Sequence, residues 1–418
     1  MAELRTLSHG VRLFVDPMPG LESAAIGVWA KAGAIDETLE ENGVAHLLEH
    51  MAFKGTGKRT ARQIAEEIES VGGYLNAETS YQRTGYYARV LKGDIELALD
   101  ILADILTDPL FDEGELAKER EVVVQEIGEA ADSPDDAVHE QLQTLIFKDQ
   151  SLGRPILGSV ESVRSHGRGR LRGFMDRLYF PGNLIVAAAG AVDEEAIARA
   201  VEARFPKVNA AKERPARPSP HYVGGLAADE RDIEQTHIAL AFPGVSARHE
   251  DAYAMRIFAE ALGGGMASRL FQTIREERGL AYSVYSYAHS YDEAGILGVY
   301  VGADAENAVL ASELVRQEME GLAENLTEQE VERARAMLKS TLLMGLESPY
   351  GRADAAAGQA FTFGRPIPAA EIRELLERVT VEDVRRCAAR SLNDGKPAIS
   401  IVGPADAAAV EKAVGAAH

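Results

Sequence analysis

The densest chemistry in the chain sits in three residues, His46, Glu49 and His50, within the run Gly43-Val-Ala-His-Leu-Leu-Glu-His-Met-Ala-Phe53. Helical residues three and four apart share a face, so this H-x-x-E-H spacing sets two imidazoles and a carboxylate side by side. Two neutral imidazoles at that separation can hold one Zn2+, and the adjacent carboxylate can take a proton from a water that the metal polarises. Leu47, Leu48, Met51 and Phe53 make the helix apolar, which predicts burial. Burying a His-Glu-His group without a cation would strand polar atoms, which weighs against the alternative of two hydrogen-bonded surface histidines. The chain has ten histidines and one cysteine, Cys387, in a polar helix-like segment to which no role is assigned. An internal disulfide, a multi-cysteine zinc site and an iron–sulfur cluster are therefore excluded, and a metal must be held by His, Asp or Glu.

A catalytic zinc takes three protein ligands. Glu115–Glu129 reads as a strong helix, in which Glu119 and Glu126 lie seven residues apart, on one face with Val122 and Val123 between them. Carboxylates on that apolar face need partners, whereas Glu115, Glu121 and Glu129 read as solvated. Glu126 is the candidate third ligand, and Glu119 the candidate acceptor for the far nitrogen of a ligand histidine.

The elements that must position these groups divide into two halves. The stretch Asn209–Pro220, NAAKERPARPSP, carries three prolines and several charges and reads as an interdomain linker that is not a buried element. It separates a first domain, residues 1–208, from a second, residues 221–418. The halves resemble each other. Phe111-Asp-Glu-Gly-Glu-Leu-Ala-Lys-Glu lies over Leu326-Thr-Glu-Gln-Glu-Val-Glu-Arg-Ala at an offset of 215, and the same offset sets Asp132-Ser-Pro on Glu347-Ser-Pro. Each half has alternating strand-like stretches, Ser23–Ala32 in the first and His237–Phe242 and Gly295–Val301 in the second. Each also has an amphipathic helix, Asp94–Leu106 and Ala305–Leu322. Strands mixed with long helices without regular βαβ alternation predict an α+β fold of two related layered domains.

Composition bounds the function. Against 44 Lys and Arg stand 66 Asp and Glu, a net charge of −22 that repels phosphate backbones, so nucleic acid is not expected as a partner. The acidic balance hints at basic peptides. The N-terminal residues have no signal-peptide pattern and no apolar run reaches about 18 residues, so the expected setting is cytoplasmic, without a membrane association.

These residues together resemble the pitrilysin-type zinc metallopeptidases, whose H-x-x-E-H signature is called inverzincin. Glu126 follows His50 by 76 residues with Glu119 seven before it, as the family pattern has it. Glu41-Asn-Gly-Val-Ala-His-Leu-Leu-Glu-His-Met-Ala-Phe-Lys-Gly-Thr56 looks like the short-chain branch, which includes the mitochondrial processing peptidases and bacterial relatives. Gly73-Tyr-Leu-Asn76-Ala77 resembles the family's active-site edge strand, and Tyr179-Phe-Pro-Gly-Asn183-Leu its helix-to-strand turn. Leu262-Gly-Gly-Gly-Met-Ala-Ser-Arg-Leu-Phe271 followed by Ile274-Arg275 and Tyr282 resembles its C-terminal substrate-binding segment.

The resemblance implies a peptidase built as half of a clamshell, a dimeric chamber completed by an identical chain or by a related subunit. It implies one zinc per chain on His46, His50 and Glu126, with Glu49 as general base. It further implies a peptide laid as a strand beside Asn76 and Ala77, and Arg275 and Tyr282 binding the substrate. An ungapped match of Glu49 with Glu260 sets Ile257 and Ala261 opposite the two histidines, so no second zinc is expected. The rival readings are a non-catalytic subunit of the same fold and a peptide-binding subunit with structural zinc. All five motif residues are present, which argues against the first. Structural zinc usually has four closed ligands, and this chain offers three and a base, which argues against the second.

Overall fold

A computed structural model of the chain describes residues 3–205 and 213–415. It divides into two compact units, each assembled from non-contiguous parts of the chain.

The first unit comprises residues 1–128, 154–218 and 343–367. Its six-stranded sheet is built from β1 (Arg5–Thr6), β2 (Arg12–Pro17), β3 (Ser23–Ala30), β4 (Tyr74–Thr79), β5 (Thr84–Leu91) and β6 (Leu184–Gly190), in the order β1-β2-β6-β3-β5-β4. Only β2 and β6 pair in parallel; the other neighbours are antiparallel. One face carries the main core. There the helix α1 (Val44–Ala52), the helix Ile95–Thr107 and the start of the long helix α2 (Glu113–Asp132) bury Leu47, Leu48, Met51, Leu99, Leu102, Leu116 and Val123 against Ile26, Val28, Tyr86 and Ala88. These positions follow the strand period of two and the helical period of three to four, which is why the sequence pattern announces them.

The second unit comprises residues 129–153, 219–342 and 368–418. Its sheet contains β7 (Gly225–Asp229), β8 (Gln235–Pro243), β9 (Ala281–Ser290), β10 (Gly295–Asp304) and β11 (Ala398–Val402), in the order β7-β11-β8-β10-β9. β7 and β11 are parallel and the rest antiparallel. Leaving β1 aside, this is the topology of the first sheet, strand for strand. The α+β class and the duplication are both realised.

The contiguous division at residues 209–220 is not how the compact units are cut. The helix α3 (Pro134–Ile146) comes after the first Ser-Pro pair yet packs on β7, β8 and β11 of the second unit. The helices α4 (Ala252–Gly263) and α5 (Glu328–Gly345) lie in the second half of the chain. Past α5 and the second Ser-Pro pair, the helix α6 (Pro349–Phe363) packs on β2, β3 and β6 of the first unit. Both exchanged helices start alike: Ser133 accepts from the Asp136 amide and Ser348 from the Gly351 amide, with proline at the first helical position. The physical reason for the exchange is visible in the first sheet. Its second face exposes Phe14, Trp29, Ile185 and Ala187, and the small residues Ala353, Ala356, Ala357 and Ala360 of α6 let that helix lie close and bury them with Phe361. Trp29 is completely buried, lying against Gly27, where a Cβ would meet its ring at 2.5 Å, and its indole N–H donates to Asp354 at 3.0 Å.

Residues 209–212 of the expected linker lie outside the described residues. Its later residues Arg214 and Arg217 are anchored to the first unit rather than left in solvent. Both pair with Asp36, and Arg217, whose side chain is 7% exposed, also donates to the Gln82 carbonyl at 2.7 Å. As expected, this charged, proline-rich stretch is not a buried element: none of residues 213–220 is buried and none is helix or strand, and Asp36 supplies the buried counter-charge that anchors its two arginines.

Candidate metal centre

The helix α1 is placed by its N-terminus. Gly43, at φ +88°, turns the chain into it, and a Cβ there would meet the Leu157 carbonyl oxygen at 2.7 Å. Glycine has no side chain to satisfy the first amides, and the buried Glu37 does so instead. Its carboxylate accepts from the amides of Ala45 at 2.8 Å and Gly43 at 3.0 Å and from Asn42 Nδ2 at 3.1 Å. Burial pushes the Glu37 pKa up to about 8, against the pull of those three donors.

The histidines of α1 meet the carboxylates of α2. Glu126 Oε2 lies 3.8 Å from His46 Nε2 and 3.6 Å from His50 Nε2. Behind them, His50 Nδ1 lies 3.1 Å from Glu119 Oε2, and Glu119 Oε1 takes the Lys54 ammonium at 2.7 Å. Glu119 is an acceptor, so it draws the imidazole proton to Nδ1 and leaves the lone pair on Nε2. Burial first, and the neighbouring His50 second, push the His46 pKa down to about 4, which keeps that ring neutral and able to ligate near pH 7.

Among the described residues, His46, His50 and Glu126 are the group whose donor atoms, all within 4.8 Å of one another, could hold a metal ion. Their separations are too long for hydrogen bonds. They approach the roughly 3.3 Å between neighbouring ligands of a tetrahedral zinc with bonds of about 2.0–2.1 Å. Two neutral nitrogens and one carboxylate are a donor set that zinc accepts, so the residues fit that ion.

Glu49, one turn on from His46, is partly buried. Burial raises its pKa; the Thr79 hydroxyl and His50 pull it down, while Glu78 and Glu126 add to the rise. Thr79 Oγ1 donates to Glu49 Oε2 at 2.5 Å. The hydroxyls of Tyr86 and Tyr179, 3.2 Å apart, lie in the same core.

Of the other sequence-derived candidates, Asn76 and Ala77 lie on β4, at the free edge of the first sheet. Strand alternation puts them on opposite faces. Ala77 is buried on the face of α1, shared by Thr79, whereas the Asn76 amide donates to the Tyr74 hydroxyl at 2.9 Å on the other face. Arg275 and Tyr282 belong to the second unit and are neighbours there: the guanidinium lies 4.7 Å from the Phe271 ring centre and 5.1 Å from that of Tyr282, a residue that is 79% exposed. Sequence reasoning missed Glu37 and Lys54, and it read Thr79 only as part of the edge strand, without its contact to Glu49. The signal for Thr79 was available: it is the polar residue two places beyond buried Ala77, on the inward period of the strand.

The first unit thus combines its sheet with a histidine–carboxylate cluster of the kind that can hold a catalytic metal. The chain matches the family described as Insulinase (Peptidase family M16) over residues 17–160, and Peptidase M16 inactive domain over residues 167–338. It is 38% identical to an uncharacterized zinc protease of Streptomyces coelicolor, over 96% of this chain and 89% of that one. It is 37% identical to the uncharacterized zinc protease YmxG of Bacillus subtilis, over 97% and 98%. The chain belongs to peptidase family M16, the pitrilysin-type metallopeptidases. Two solved structures share its fold: a protease from Helicobacter pylori (TM-score 0.87, 21% identity, 97% of this chain and 99% of that one) and a chain of complex III2 from Candida albicans (0.86, 20%, 98% and 99%). Among the described residues, no helix is long and apolar enough to cross a membrane.

Proposed function

We propose that the protein is a cytoplasmic zinc-dependent endopeptidase that hydrolyses peptides or unfolded protein segments, with one zinc per chain on His46, His50 and Glu126. The observation that carries this reading is the convergence of those three donors beside Glu49, a carboxylate that the metal set does not use. Zinc bound there would supply Lewis acidity, lowering the pKa of a coordinated water to about 7 and polarising a carbonyl.

The chain's own residues do the rest. Glu49 takes a proton from the attacking water and delivers it to the departing amine, so that one amide C–N bond is replaced by a carboxylate and an amine. Glu119 holds His50 in the ligating tautomer, and Lys54 supports Glu119. The free edge of β4, along Asn76 and Ala77, seats the peptide as an added strand, so main-chain hydrogen bonds supply much of the affinity. Arg275 and Tyr282 donate to substrate carbonyl oxygen, and the tyrosine hydroxyl steadies the charge that develops there. In this reading the enzyme works as a dimer, with an identical chain or a related subunit, whose enclosed chamber admits extended chains.

The test is metal analysis together with peptide cleavage by wild type and Glu49→Gln. The expected result is one zinc per chain in both proteins and a loss of turnover of about 100- to 10,000-fold in the variant, the usual contribution of a general base. Wild-type cleavage by Glu49→Gln would overturn the assignment.

A further inference from the structure

We propose that Thr79 is a positioning residue for the base: it holds Glu49 by one carboxylate oxygen and ties that carboxylate to the strand that seats the peptide. The inference rests on the endopeptidase reading above.

Among the described residues, the hydrogen bond from Thr79 Oγ1 to Glu49 Oε2, at 2.5 Å, is the one that joins the Glu49 carboxylate to the edge strand β4. It fixes one of the two oxygens in place and leaves Oε1, together with the second lone pair of Oε2, able to accept a proton. A glutamate side chain has three rotatable bonds and, on its own, several rotamers that would aim the carboxylate elsewhere. A threonine on a strand is the opposite case, stiff at its first torsion because of the branch at Cβ. The stiff partner therefore dictates where the flexible one points.

The backbone carrying Thr79 is itself fixed on two sides. β4 pairs with β5, Thr79 opposite Thr84, and the turn beyond is closed by the Ser80 amide donating to the Arg83 carbonyl at 2.9 Å. That turn is tied to the stretch leading into α1: the Ala34 amide donates to the Ser80 carbonyl at 3.1 Å and the Ile35 amide to that of Tyr81 at 2.9 Å. Thr84 in turn donates to the Ala32 carbonyl at 2.9 Å. Glu37, three residues beyond Ala34, then caps α1. Glu49 is thus fixed from both ends, by its helix through Glu37 and by its carboxylate through Thr79. A peptide hydrogen-bonded along the outer edge of β4 would be in register with the same backbone that holds the base.

The test compares Thr79→Val, which keeps the branch and removes the hydroxyl, with Thr79→Ser, which keeps the hydroxyl. Thr79→Val is expected to lower kcat about 10- to 100-fold, the scale of a misplaced catalytic group. Its KM, zinc content and thermal midpoint should stay at wild-type values, and Thr79→Ser should recover most of the lost rate. A crystal structure of zinc-free Thr79→Val should show the Glu49 carboxylate turned from its wild-type position. Adding Thr79→Val to Glu49→Gln should cost nothing further, because the two act through one group. Wild-type kcat in Thr79→Val, or a loss confined to zinc content or thermal midpoint, overturns the inference. Glu49→Gln, run beside it, separates the two levels: an inactive Glu49→Gln with a fully active Thr79→Val sinks the positioning role alone, while an active Glu49→Gln sinks the endopeptidase reading and this inference with it.

Discussion

The two sheets differ in what their inner helices carry. In the first unit α1 and α2 bring His46, His50, Glu119 and Glu126 together; in the second, α4 and α5 place Ile257, Ala261, Ala334 and Thr341 at the matching sequence offsets. Ile257, Ala261 and Ala334 are buried. The same strand order stands on both, so the scaffold does not require the polar cluster. That cluster in fact burdens the first unit: His46 Nδ1 is buried without a hydrogen-bond partner among the described residues, and burial displaces the pKa values of His46 and Glu49. A polar arrangement that folding tolerates but does not need is the signature of a retained site. The match of residues 167–338 to a domain described as inactive agrees with the apolar replacements.

The comparison can be pressed by making the first unit resemble the second. The double variant His46→Ile/His50→Ala should lose bound zinc completely by metal analysis. Its metal-free form should unfold in denaturant within about 1 kcal/mol of metal-free wild type, since a stranded polar atom is removed along with some packing. A collapse of the fold would mean that the cluster is structural after all.

Acid provides a second route. The unfolded chain protonates His46 near its ordinary pKa of 6.5, whereas the folded, metal-free chain does so only near 4. Between those values the unfolded state binds more protons, so stability falls as pH drops through that window and levels off below it. The expected loss is about 2–3 kcal/mol. Denaturant titrations at pH 7 and pH 4 on metal-free wild type and His46→Ile would isolate this slope, which the variant should lack as Ile257 lacks it in the second unit. Smaller still is the effect of Glu119, whose counterpart is Ala334. Glu119→Gln should weaken zinc about 10- to 100-fold in a chelator competition, because the His50 proton loses its charged acceptor.

The grouping of His46, Glu49 and His50 was legible because it is local: one short stretch of helix carries all three at a spacing of three and four residues. Glu126 and Glu119 were legible because seven residues return a helix to the same face. That Ile257 and Ala261 stand opposite the two histidines was read directly from the sequence offset. The exchange of α3 and α6 was not legible. The Ser-Pro pairs marked where each helix starts, but an amphipathic pattern says only that a helix covers an apolar surface, not which sheet supplies it. The contacts of Thr79 and Glu37 escaped for a related reason, since Glu49 and the Ala45 amide are brought to those residues by strand pairing and by a loop rather than by periodicity. The anchoring of Arg214 and Arg217 was not legible because their counter-charge, Asp36, lies far away in the chain.

The exchanged helices also set a timetable for synthesis. The first sheet is complete in its strands once Gly190 has left the ribosome, yet the helix that covers Phe14, Trp29, Ile185 and Ala187 ends at Phe363. At 5–20 residues per second, that apolar face waits roughly 9–35 s for its cover. The chain must therefore shield half a hydrophobic core while most of its second half is still being made, and a nascent-chain chaperone has a defined surface and a defined interval in which to act.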